Sequence, residues 1–104
     1  MNVSSNGFKA FHQGLIHHQR GNLAQAKEIY LSVLKGDPAH FDATHHLGLV
    51  HLAQGEIALA ERLITRATEL RPNDQDTTSN LLYLLNGQKN THRPFVSMKF
   101  FANT

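Results

Sequence analysis

The chain has 104 residues, enough for one small domain with a single core and too few for that core plus a large buried cofactor pocket. Ten Lys and Arg stand against eight Asp and Glu, and with the eight histidines neutral the formal charge is +2, too near zero to announce nucleic acid or an acidic membrane. The absence of cysteine excludes disulfides, thiolate zinc sites, iron–sulfur clusters and a Cys nucleophile.

In chain order, residues 1–6 read as an N-terminal leader. Ala10, Phe11, Gly14, Leu15 and His18 then recur at helical spacing, and the pattern stops near Gly21. A second apolar stripe runs through Leu23, Ala26, Ile29, Tyr30, Val33 and Leu34 and is closed by Gly36 and Pro38. Asn22 stands where a cap belongs, and Pro38 biases Asp37 out of the helical region. A second pair of helices is predicted over 41–54 and 57–70, turning at Gly55 and ending before Pro72. A fifth helix is expected over 75–86, with Leu81, Leu82, Leu84 and Leu85 apolar, Asp74 and Asp76 placed to cap it, and Gly87 as a stop. Residues 88–104 read as an irregular tail. It holds Lys89, Arg93 and Lys99 without an acid, together with Phe95, Val96, Met98, Phe100 and Phe101, a composition better suited to covering a bare helical face than to nucleic acid or a membrane surface.

Sliding the chain 34 residues against itself aligns His12 with His46, Gly14 with Gly48, Leu15 with Leu49 and His17 with His51. The same offset aligns Gly21 with Gly55, Ala24 with Ala58, Ala26 with Ala60 and Pro38 with Pro72. Eight identities at one offset exceed the roughly two that composition alone supplies, so the sequence contains an internal repeat, 7–40 and 41–74, with a partial third unit over 75–87. Gly14 and Gly48 lie mid-helix, where glycine costs about 1 kcal/mol relative to alanine. Paying that twice at one repeat position implies close passage of a neighbour, and Ala26 and Ala60 are its expected partners. Gly21 and Gly55 fall where a helix end calls for the left-handed conformation.

These residues resemble the tetratricopeptide repeat, a helix–turn–helix unit of the same length. The matches are Gly14, Ala26, Tyr30 and Pro38 in the first unit and Leu47, Gly48, Ala60, Ala67 and Pro72 in the second. Departures are Gln13 for Leu, Val33 for Ala, Ile64 for an aromatic, and His17 and His51 for Tyr. In the third unit Leu82 replaces the glycine and Pro94 stands at the alanine position. The resemblance, which covers residues 7–86, implies an all-α superhelix of antiparallel helix pairs, about two and a half repeats in five helices.

The resemblance also implies a concave groove, lined by the first helix of each unit, that receives a peptide or helix of a partner protein. Carried over residue by residue, the groove is offered by Phe8, Phe11, Leu15 and His18, then by Asp42, His45, Leu49 and Leu52, then by Tyr83. Phe11 and Leu15 occupy the places where chaperone-binding relatives clamp a terminal carboxylate with Lys and Asn, which argues against such a clamp here. An apolar face of this kind suits area burial by an apolar helix or extended segment. The expectation is a scaffold-type binding module without catalysis. Two other readings stand beside it: the N-terminal repeat region of a larger bacterial enzyme, similar to those of glycosyl- or sulfotransferases, and a histidine-based metal-binding protein.

No Gly-rich phosphate loop, nucleophile elbow or isolated carboxylate pair points to an enzyme or a cofactor. The histidines within one helix lie one, five or six residues apart, never at the three or four that put two ligands on one face, so no metal site is expected; a site would need ligands from adjacent helices, such as His18 with His45. Without a long apolar run or a basic-then-apolar start, the expected setting is cytoplasmic and no membrane partner is implied. Repeat stacks expose apolar faces at their ends. The leucines of the fifth helix therefore call for a cover, which the tail or a homodimer through this end would supply.

Overall fold

Five helices, α1 (Val3–Gln19), α2 (Leu23–Gly36), α3 (Phe41–Ala53), α4 (Ile57–Leu70) and α5 (Gln75–Asn90), make up the computed structural model, which describes residues 3–90 and the side chains of residues 8–86. No strand occurs among the described residues. The helices form two antiparallel hairpins, α1–α2 and α3–α4. They are joined where α2 packs on α3, and α5 packs on α4 as the start of a third unit.

The turn inside each hairpin is the same. Gly21 and Gly55 take φ of 83° and 81°, the left-handed region that glycine enters without steric cost. The amide after each glycine then reaches back to a carbonyl five residues earlier, Asn22 to His17 at 2.8 Å and Glu56 to His51 at 2.9 Å. This ties off the helix end and launches the next helix one residue later. Starts of first helices are capped by side chains at equivalent repeat positions. His40 Nδ1 accepts from the Ala43 amide at 3.1 Å, and Asp74 Oδ2 accepts from the Thr77 amide at 3.0 Å and its hydroxyl at 2.6 Å. Asn22 makes no side-chain cap, contrary to expectation; its amide lies 3.3 Å from His17 Nδ1 instead.

Two boundaries differ from those read in the sequence. Helix α1 begins at Val3, inside the expected leader, and α5 passes through Gly87 to Asn90. A single glycine weakens a helix by about 1 kcal/mol but ends it only where it leaves the helical conformation. From residue 91 the tail lies outside the described residues.

The two mid-helix glycines are closely approached, though not by the alanines. A Cβ on Gly14 would lie 2.7 Å from Tyr30 Cε1, and one on Gly48 would lie 2.8 Å from Ile64 Cγ1. The neighbour is the large side chain one helical turn beyond Ala26 and Ala60, which are themselves fully buried. Around these contacts stand two apolar clusters. One gathers Ala26, Tyr30, Leu47 and Val50, the other Leu49, Leu52, Ala60, Ile64 and Leu84.

Candidate partner-binding face

Helices α1, α3 and α5 carry every residue expected to line a groove, and the structure separates those residues into two groups. Phe8 is open, 66% exposed, and Phe11, Leu15, Asp42 and Tyr83 are half-buried. His18, His45, Leu49 and Leu52 are buried. Leu49 and Leu52 pack against Ala60 and Ile64 of α4 and Leu84 of α5. Burying a leucine there is worth about 2 kcal/mol, and α5 supplies the cover that the sequence alone did not orient. His45 Nε2 faces the Asn80 amide nitrogen at 3.0 Å, linking α3 to α5. His18 Nδ1 and the Tyr30 hydroxyl share a hydrogen bond of 3.2 Å, linking α1 to α2.

Rings crowd the junction of the two hairpins. The Phe11 centroid lies 5.7 Å from Tyr30, 5.6 Å from His40 and 5.4 Å from His46. His18 stands 6.0 Å from both Tyr30 and His46, and His46 is 5.4 Å from His45. These separations are those of interacting aromatic pairs. Burial lowers His18 to about 4, and burial together with its neighbours His45 and His18 lowers His46 to about 3. His45 is also lowered by burial, against the partial opposition of Asp74, Asp76 and Asp42. Burial raises the Tyr30 phenol above its ordinary value. Burial thus favours the neutral form of His18, His45 and His46, whose rings pack as aromatic groups with a hydrogen-bonding edge.

His17 and His51, in the slot where the resemblance called for tyrosine, share a different role. Each reaches the residue five positions on, across the turn. His17 meets Asn22 at 3.3 Å, and His51 Nδ1 meets Glu56 Oε1 at 2.7 Å. The hydrogen bond to His51 holds the Glu56 carboxyl below its usual range. Both pairs stand 34 residues apart in the sequence, so the repeat offset already aligned them. The missing signal was that residues five apart meet once a glycine turn reverses the chain. At the other end of α3 the Arg71 guanidinium lies 4.4 Å over the Phe41 ring.

Among the described residues no three His, Asp or Glu side chains are placed to hold a metal ion. No described helix is long and apolar enough to cross a membrane. What remains open on α1 is Phe8 and His12, stacked at 6.5 Å, with the half-buried Phe11 and Leu15 beside them. Residues 17–79 match the family model described as tetratricopeptide repeat. Among curated proteins, none matches the chain.

Proposed function

The chain belongs to the tetratricopeptide repeat family, and on that footing we propose that it is a protein-interaction module, without chemistry of its own, that takes a peptide or helix of a partner along the face shared by α1, α3 and α5. The observation that carries this reading is the apolar stripe on α1 that runs from the exposed Phe8 to the half-buried Phe11 and Leu15. Those residues recur at three- and four-residue spacing, so they form one ridge against which an apolar segment docks. Asp42 on α3 and Tyr83 on α5 are the half-open polar groups that set register. His18, His45, Leu49 and Leu52 support this face from beneath, because their side chains are taken up between helices.

The test is selection of binding peptides from a displayed random library on the immobilised chain, followed by a Phe8→Glu/Leu15→Glu variant. Neither residue is buried, so the variant keeps its helical circular dichroism. Apolar peptides whose binding falls at least tenfold in the variant, about 1.4 kcal/mol, are expected. Peptides that bind both proteins equally place the contact face elsewhere.

A further inference from the structure

His46 is the ring that α3 sets against the first hairpin. Its centroid lies 5.4 Å from Phe11, 6.0 Å from His18 and 6.1 Å from Tyr30. Shifted by the repeat offset, these four positions become Asn80, His45, Leu52 and Ile64 at the next joint. There the one imidazole, His45, meets the Asn80 amide nitrogen at 3.0 Å. The joint between α1–α2 and α3 thus holds two imidazoles edge to face, where the joint between α3–α4 and α5 holds an imidazole and an amide.

Titratable groups face this pair from every element packed there. They are Tyr30 from α2 and His45 from α3, with His18 and His46 facing one another across the joint. A proton on either ring is a charge held out of water beside imidazoles and a phenol, and protons on both are like charges about one ring-contact apart. Burial opposes protonation of both rings, and at His46 so do His45 and His18. The carboxylates of Asp42, Asp74 and Asp76 act instead on His45, at the next joint. Parting the first joint returns both rings to water, so the closed form binds fewer protons than the open one. Its advantage is complete above pH 6.5 and shrinks as the pH falls below that value.

The chain is built to part at this place. The first hairpin is tied within itself by α1–α2 packing and by the Asn22 amide donating to the His17 carbonyl across the Gly21 turn. It reaches α3 through Asp37, Pro38 and Ala39, all exposed. We propose that the α1–α2 hairpin is an acid-released unit, which parts from α3 about the 37–39 link when His18 and His46 take protons, ahead of the unfolding of α4 and α5. Release needs no partner, so it does not depend on the binding reading.

The experiment is amide hydrogen exchange on the full chain at pH 7.5 and pH 5, each rate divided by the intrinsic rate of that amide to give an opening constant. With folded values of about 4 for His18 and about 3 for His46, each ring shifts the opening about thirtyfold over this range, and the two about a thousandfold. Expected is one opening constant shared by interior amides of α1 and α2. It rises about a thousandfold and at pH 5 stands at least tenfold above those of α4 and α5. In His18→Leu/His46→Asn, which copies Leu52 and Asn80 of the next joint into the first, the rise falls below tenfold. The wild type decides even where that variant does not fold. Equal opening constants in all helices at pH 5 overturn the inference, because acid then acts on the whole chain at once. A rise of less than tenfold in α1 and α2 overturns it as well, and so does a full rise in the folded variant.

Discussion

Tyr30 and Ile64 occupy one repeat position, 34 residues apart, and each leans on a glycine of the preceding helix. Around Tyr30 the structure assembles Phe11, His18 and His46, a junction of rings with a hydrogen bond between His18 and the Tyr30 hydroxyl. Around Ile64 it assembles Leu49, Leu52 and Leu84, an aliphatic junction. The same backbone geometry is thus filled by two chemistries. One is sensitive to protons and hydrogen-bond partners; the other responds only to volume.

Acid separates the two most strongly. A histidine that is buried and neutral binds fewer protons when folded than when unfolded, so its contribution is present above pH 6.5 and is lost as pH falls toward its folded value. With His18 at about 4 and His46 at about 3, about 2 kcal/mol is lost for each at pH 5, and about 4 kcal/mol for the two. Urea midpoints measured between pH 7.5 and 5 will fall accordingly. In a variant with His18→Leu the fall is about half as large.

Volume tests the aliphatic side. Gly48→Leu imports into α3 the residue that α5 tolerates at Leu82, and it must displace Ile64 and Leu63, whose atoms lie 2.8 and 3.3 Å from the added Cβ. We expect a loss of about 3 kcal/mol, seen as a melting temperature lower by roughly 12 °C or more. The reverse change, Leu82→Gly, opens no such conflict and costs only about 1 kcal/mol through helix propensity.

The smallest effect comes from one oxygen. Tyr30→Phe keeps the ring against Gly14 and withdraws the hydroxyl from His18, 3.2 Å away, for an expected loss of about 1 kcal/mol. Chemical denaturation at neutral pH measures it directly.

Much of this molecule could be read from the residues because a repeat offset tests itself. Gly21 and Gly55 align, and both take the left-handed turn. Gly14 and Gly48 align, and both sit under a neighbouring helix. What the residues did not reveal was the occupant of each face. Leu49 and Leu52 read as groove because a single helix does not say which neighbour covers it; α4 and α5 bury them. The pairing of His45 with Asn80 joins residues 35 positions apart on α3 and α5, and its register follows from packing, not from spacing. Asn22 reads as a cap because its residue type favours one, yet the His17 ring lies within reach across the turn. Chain reversal created that contact.

The neutral state of His18 and His46 at the junction between the hairpins is tested most directly by following the histidine ring resonances through a pH titration of the folded chain. His18 and His46 should keep the chemical shifts of neutral imidazole from pH 8 down to about 5, moving only as the chain begins to unfold. Titration of either ring near pH 6.5 with the fold intact would contradict the account, since it would place water where the structure places Tyr30 and Phe11.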